Sequence, residues 1–453
     1  MGKYSNQVKT NEAWLPMIPS QWELKKIKWS FKERSEKGYP DEPLLVASQN
    51  MGVVPKNVYG KRTVEALKDL DKLKLVKVGD YVVSLRSFQG GIEYAYYQGI
   101  ISPAYTIMRP NPDFCSAYYK FLFKSAPFIK LLTTCVTGIR EGQNIDYGKL
   151  KNHYIPVPPR AEQDQIVRFL DWKVSEINKL IGIRRKEIQE LEDLKSRVIY
   201  HTVLGEDNVI ENKKDTGIGW IGKVPENWDL RRIKFLFRLR DEKNYKPLSE
   251  VNLLSLYSSL GIIQNKDVEY TTGNRARNAD GYKIVKANDI VVNIILCWMG
   301  AIGMSDYDGV TSPAYDVYTP QKNVCSKYYH YLFRTKPFSN ECYKAGKGIM
   351  AMRWRVYFPQ FSNIVVPFPP LKEQEEIAET LNDKCKGVDT LITIKQEQVG
   401  KLRELKSTLI SDVVTGKIDV RNIPVPAYEH VDDLTADDGE GNDGETGIPG
   451  EED

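Results

Sequence analysis

The sequence predicts a mixed α/β fold made twice over: two similar α/β domains separated by two long antiparallel coiled-coil helices, an internal pseudo-twofold duplication. Three observations predict it. Segments of the first half return in the second at a nearly constant offset. Each half carries short β-branched runs bounded by Gly, Asn and Asp, which read as strands and turns. Each half then passes through a proline pair into a heptad pattern.

The repeat comes first. Trp14-Leu15-Pro16-Met17-Ile18-Pro19-Ser20-Gln21-Trp22 returns as Trp220-Ile221-Gly222-Lys223-Val224-Pro225-Glu226-Asn227-Trp228, an offset of 206. Ser102-Pro103-Ala104-Tyr105 returns as Ser312-Pro313-Ala314-Tyr315 at 210, and Pro156-Val157-Pro158-Pro159 as Pro367-Phe368-Pro369-Pro370 at 211. A unit this long is a duplicated module, far larger than a solenoid repeat. Two similar but unequal modules suit a target with two similar but unequal parts.

The elements follow in order within each copy. A basic run, Leu24-Lys25-Lys26-Ile27-Lys28 or Leu230-Arg231-Arg232-Ile233-Lys234, follows the Trp-Pro-Trp opening. Val76–Ser84 and Ile284–Val292 read as strands with a turn. Ala117–Phe123 and Lys327–Phe333 read as a short helix. The proline pair ends the globular part, because it continues neither a helix nor a central strand. Then Ile166, Leu170, Ile177, Leu180, Leu191, Leu194 and Val198 recur at coiled-coil spacing. Ile377, Leu381, Val388, Leu391, Leu402, Leu405 and Leu409 repeat that pattern at 211. Gly205 and Gly416 are natural C-terminal stops. Helices over 162–204 and 373–415 would each be about 60 Å long. One apolar stripe of that length needs a partner, and the obvious partner is the other copy. The domain boundaries expected are 1–160, a helix over 161–205, a linker over 206–220, a second domain over 221–371, a helix over 372–417 and an acidic tail over 418–453.

Composition restricts function. The chain has 453 residues, with 41% hydrophobic and 11% aromatic residues, enough for real cores. No run approaches the roughly 20 apolar residues of a membrane span. No secretory signal is evident at the N-terminus. Six scattered cysteines without Cys-x-x-Cys suggest free thiols in a reducing cytoplasm. The net charge of +4 hides an uneven distribution. After Arg421 come eleven acidic residues and no basic ones, leaving 64 basic against 49 acidic residues, or +15, for 1–421. A basic body points to a polyanion, and nucleic acid is the expected partner. The segment from about Val431 onward, rich in Gly, Asp and Glu, buries no core and is expected to be disordered.

No catalytic constellation emerges. Gly346-Lys347 lacks the flanking Gly and Ser/Thr of a phosphate loop. Ser-Pro-Ala-Tyr reads as a turn into a strand in both copies. His153, His201, His330 and His430 share no metal-ligand spacing, so no metal site is expected. Glu190, Glu192 and Asp193 lie among basic helix neighbours and read as a solvated face.

Three loops instead mix donors suited to bases and phosphates. The first, 84–91, offers Arg86 and Gln89. The second, 137–144, offers Arg140, Gln143 and Asn144. Its counterpart, 347–355, keeps the Gly-Ile frame and offers Arg353 and Arg355. The third, 273–278, offers Asn274, Arg275 and Arg277. The scaffold segments match between copies while these loops differ, as expected of one frame carrying two reading heads.

With these residues in view, the chain resembles the specificity subunits of type I restriction-modification systems over about residues 12 to 420. The resemblance rests on the paired Trp-x-x-x-x-Pro-x-x-Trp openings. It rests equally on Pro-Val-Pro-Pro-Arg-Ala-Glu-Gln-Asp-Gln-Ile (156–166) and Pro-Phe-Pro-Pro-Leu-Lys-Glu-Gln-Glu-Glu-Ile (367–377), each ahead of a long heptad helix. It implies two target-recognition domains, each reading part of a split double-stranded DNA site. It implies helices that set the spacing and bind two modification (methyltransferase) subunits, with restriction subunits joining them. The chain itself would be non-catalytic and without cofactor, the methyl donor and ATP belonging to partners. The resemblance transfers no base-contacting residue. The alternatives are a diverged DNA methyltransferase or nuclease with an unrecognised active site, and a duplicated stand-alone DNA-binding protein.

Overall fold

The computed structural model describes residues 2–49, 51–59, 69–112, 114–138, 144–206, 212–258, 261–267, 278–348 and 354–431. The chain forms two compact units. The first holds 1–186 with the chain from 395 onward through the described residues, and the second holds 187–394.

In the first unit, β1 (Phe31–Arg34), β2 (Tyr81–Val83), β3 (Glu93–Tyr94) and β4 (Thr106–Pro110) form an antiparallel sheet of order β1-β4-β2-β3. Tyr81, Val82 and Val83 are all buried, as a central strand covered on both faces requires. Two short helices follow, α1 (Ser116–Leu122) and α2 (Ala126–Thr134), and then the 44-residue helix α3 (Arg160–Val203).

The second unit repeats this order. Strands β5 (Phe237–Arg240), β6 (Ile290–Asn293), β7 (Ile302–Met304) and β8 (Tyr315–Pro320) pair in the order β5-β8-β6-β7. Helices α4 (Ser326–Phe333) and α5 (Lys336–Ala345) precede the 44-residue α6 (Leu371–Val414). The small hairpins match too, Glu23–Lys26 with Tyr154–Val157 in one unit and Asp229–Arg232 with Val365–Phe368 in the other.

The strands and turn expected over 76–84 are Lys74–Val76 and Tyr81–Val83, with the turn at Gly79, φ +89°. Asn288, φ +71°, serves the same turn in the second unit, asparagine being one of the few residues that tolerate that region. An ion pair locks each turn to the sheet, buried in the first unit and partly buried in the second. Arg34 Nε meets Asp80 Oδ2 at 2.7 Å, and Arg240 Nε meets Asp289 Oδ2 at 2.8 Å. The same carboxylates accept from Lys77 N and Lys286 N. The Ser-Pro-Ala-Tyr segments are turns into β4 and β8, closed by Tyr105 N to Ser102 O and Tyr315 N to Ser312 O.

The paired signatures turn out to be clasps between domain and helix. Trp22 Nε1 donates to Glu162 Oε1 at 2.9 Å, and Trp228 Nε1 to Glu373 Oε2 at 2.7 Å. Gln163 Oε1 accepts from Cys115 N while its amide donates to Pro158 O; Gln374 does the same with Cys325 N and Pro369 O. Tyr118 Oη donates to Val414 O and Tyr328 Oη to Val203 O, both at 2.8 Å. Each unit thus holds the start of one long helix and the end of the other. Gly205 and Gly416 lie in the left-handed region against Pro225 and Pro19, where a Cβ would fall 2.9 and 2.3 Å from the ring.

The long segments run antiparallel within each unit. In the first, Gln163 and Val414 are gathered around α1, and further along the pair Lys406 Nζ donates to Asn178 Oδ1. In the second, Val203 and Gln374 are gathered around α4, and further along Lys195 Nζ meets Asp389 at 2.6 Å. The buried stripe differs from the expected heptads. Ile166, Leu170, Ile177, Ile377, Leu381 and Leu409 are buried, whereas Leu180, Leu194, Leu391 and Leu405 are 43, 42, 47 and 55% exposed. Ile181 takes the buried place that the pattern gave to Leu180. The reason is that the stripe is shared: Phe169, Ile166 and Leu170 join one core with Tyr118, Phe128 and Val413, so the globular part fixes the helix rotation as much as the partner helix does.

The tail also starts later than expected. Val420 is fully buried, and Ile418, Ile423 and Val425 pack on the first core. Gln165 Nε2 donates to Val420 O and Ile423 O, and Asn178 Nδ2 to Val431 O, so 420–431 runs along α3. The apolar residues at 418, 420, 423 and 425 are what hold it there. The disorder expected after 431 falls outside the described residues. All six cysteines are free thiols, and no described helix is long and apolar enough to cross a membrane.

Candidate nucleic-acid interface

Each unit builds two adjoining loops on one short helix. In the first unit, the turn after β2 packs on α2, and α2 runs directly into the hairpin of Val136–Thr137 with Asn144–Ile145. In the second, the turn after β6 packs on α5, which runs into the hairpin joined by the Lys347–Arg355 bridge. Val356 N donates to Ile294 O at 2.8 Å, tying turn to hairpin.

The first turn is tightly built. Ser84 N donates to Ser87 Oγ, and Gly91 closes the turn with φ +89°. A Cβ at Gly91 would fall 2.3 Å from Phe123 O, so only glycine fits. Lys124 Nζ braces the turn from below, donating to Gln49 O, Gly90 O and both carboxylate oxygens of Glu93. Burial raises the Glu93 carboxyl to about 7, with Lys124 pulling against it. Arg86 and Gln89 stand exposed on this braced turn. Asn144 is exposed at the hairpin base, where its carbonyl accepts from Thr137 Oγ1. The structure therefore puts the turn with Arg86 and Gln89 and the hairpin with Asn144 on the same helix.

In the second unit Arg355 sits at the hairpin base, its guanidinium donating to Trp354 O at 3.2 Å. Arg140, Gln143, Arg353, Asn274, Arg275 and Arg277 lie outside the described residues. His153 pairs with Glu12 at 3.0 Å, which reads as structural. His330 is half-buried and accepts from Met304 N through Nδ1; desolvation and the nearby Arg334 depress its pKa to about 3. Among the described residues no three His, Cys, Asp or Glu come together to hold a metal ion.

Sequence reasoning missed an aromatic column at the second site. Trp298 meets Tyr343 edge-on at 5.6 Å, and Tyr343 stacks on Trp354 at 5.0 Å and 20°. The signal was present in Ile294-Ile295-Leu296-Cys297-Trp298-Met299 and in the Trp between Arg353 and Arg355, but a search for polar donors passes over it.

Residues 225–400 match the family model of the type I restriction modification DNA specificity domain. The chain is 25% identical over 444 residues to the putative type I restriction enzyme MjaX specificity subunit of Methanocaldococcus jannaschii, covering 89% of this chain and 95% of that one. It is 25% identical over 431 residues to the type I restriction enzyme MjaVIII specificity subunit of the same organism, covering 90% and 95%. A solved chain from work on complex assembly and conformational transition of the type I R-M system shares the fold. Its TM-score is 0.58 at 14% identity, over 88% of this chain and 99% of that one. With the duplicated frame and the paired clasps beside these likenesses, the chain is similar over nearly its whole length to the specificity subunits of type I restriction enzymes.

Proposed function

We propose that this chain reads a split double-stranded DNA target, one part per unit, and carries the subunits that act on it. One observation bears most of the weight. The frame is the same in both units down to individual hydrogen bonds, while the loops at matching places differ in chemistry. Gly91 and Gly300 close the two turns alike, φ +89° and +85°. Counting back from them, Gln89 in the first unit corresponds to Trp298 in the second, and Arg86 to Ile295. A shared frame with differing loops is what independent reading of two sequences requires. In this reading Arg86, Gln89, Arg140, Gln143 and Asn144 serve one half-site, and Asn274, Arg275, Arg277, Arg353 and Arg355 the other.

The exposed leucines of the long helices give the second half of the proposal. The first unit shows Leu180, Ile183 and Leu405 at 43, 45 and 55%; the second shows Leu391, Ile394 and Leu194 at 47, 43 and 42%. Each member of one set has its duplicate in the other at 211. A repeated apolar surface on a helix is a seat for a repeated partner. Two modification subunits fit that count, with restriction subunits joining through them. The methyl donor and ATP are assigned to those partners, the reaction is not assigned to this chain, and the complex is placed in the cytoplasm. Methylome sequencing of cells carrying the chain with its partners tests the proposal. A methylated site in two defined parts around an unspecified spacer is expected; a single continuous site contradicts it.

A further inference from the structure

We propose that the second unit reads its half-site through thymine methyl groups, using Met299 and the column Trp298–Tyr343–Trp354. The inference rests on the two-part reading above and names the chemistry of one part. Met299 is 58% exposed and Tyr343 48% exposed, on the turn and helix that carry the candidate interface. The indole N–H groups are taken up by backbone carbonyls: Trp298 Nε1 donates to Ile295 O at 2.7 Å, and Trp354 Nε1 to Tyr343 O at 3.1 Å. With these donors already satisfied, the rings offer apolar and π surface in place of hydrogen bonds. The seat is made for the ring, since a Cβ at Gly346 would fall 2.1 Å from Trp354 Nε1. The matching first-unit positions, Gln89 and Gly90, carry no such surface.

An exposed apolar surface calls for an occupant. On the DNA-reading side of a basic protein that occupant is an apolar feature of the duplex. In the major groove the thymine C5-methyl is the apolar mark that distinguishes a base pair. Arg355 at the hairpin base, beside Trp354, brings a guanidinium to the column, a group suited to an adjacent phosphate.

The test uses the assembled complex with its modification subunits and a duplex carrying its methylome-defined site. Each thymine is replaced in turn by deoxyuridine, which removes only the methyl. In the half read by the second unit, at least one replacement is expected to weaken binding about fourfold, the worth of one buried methyl-sized group. The same replacements in the other half should leave affinity unchanged. Met299→Ala, at an exposed position, should melt as wild type, lose a similar factor on the thymine duplex, and no longer respond to the sensitive deoxyuridine. A half-site lacking thymine on both strands, or one indifferent to every deoxyuridine, overturns the proposal. So does a response that survives Met299→Ala unchanged. A complex that fails to tell the site from random DNA refutes instead the underlying reading of a two-part target.

Discussion

Replacing Leu180 and Leu391 by Asp tests whether the exposed stripe is a seat for partners. Both side chains sit at the same place in the two copies, 43 and 47% exposed. Fully burying a leucine is worth roughly 1.5–3 kcal/mol, so the exposed share leaves about 1 kcal/mol per site for a partner to collect. An aspartate there adds the cost of burying an unpaired carboxylate, at least several kcal/mol. Loss of both seats should therefore weaken assembly by a factor of about a thousand or more. The isolated chain pays much less. Its loss is the packing of the half already buried and about 0.5 kcal/mol of helix propensity per site, small beside a stability of about 5–15 kcal/mol. Sedimentation of the double variant with modification subunits reads the first effect, and thermal melting of the variant alone reads the second. A folded chain that no longer assembles is expected. Full assembly would show that the partners sit elsewhere. An unfolded chain would show that these leucines lie in a seam after all. Ile177→Asp, at a buried position, is the contrasting variant and should unfold the first unit.

Three further outcomes follow from single sites. His330 is neutral in the fold with a pKa held near 3, so the unfolded chain takes up a proton first as pH falls below about 6.5. Its contribution is complete above 6.5 and is lost on going down toward 3. By pH 5 wild type should lose on the order of 2 kcal/mol that His330→Gln does not, measured as the difference between their denaturant curves. Gly91→Ala puts a Cβ against Phe123 O in a left-handed residue; a loss of about 1–3 kcal/mol in stability and displacement of Arg86 and Gln89 are expected, read by melting and by DNA affinity. Arg140→Ala should lower specific affinity by about 1–3 kcal/mol in one half-site if that arginine reads a base. A uniform loss with a reduced salt slope would mark a phosphate contact, and no change at all would remove it from the interface.

The architecture was legible because it is written in repeats. Matched tryptophans, prolines and Glu-Gln pairs gave the module, and the helix limits came within two residues at each end, since Pro159 and Gly205 or Pro370 and Gly416 bracket them. The buried stripe was not legible. A heptad written on paper does not say that Phe169 will be drawn into the globular core and turn the helix so that Ile181 faces in and Leu180 out. Nor was the packed segment 418–431, where four spaced apolar residues are outweighed on paper by the acids that follow. At the candidate interface the polar loops of the first unit are marked in the sequence by their donors. The second unit's column was missed because its meaning lies in ring contacts between residues 298, 343 and 354, which no local pattern shows.

The central claim is that the two units read independently. It is tested most directly by exchanging residues 221–371 for the corresponding domain of another specificity subunit and sequencing the methylome of cells carrying the hybrid with its partners. One part of the methylated site should change and the other should stay, with the spacer between them kept, because the exchange leaves α3 whole and α6 from 372 onward in place. A hybrid that alters both parts, or that leaves both unchanged, contradicts the account.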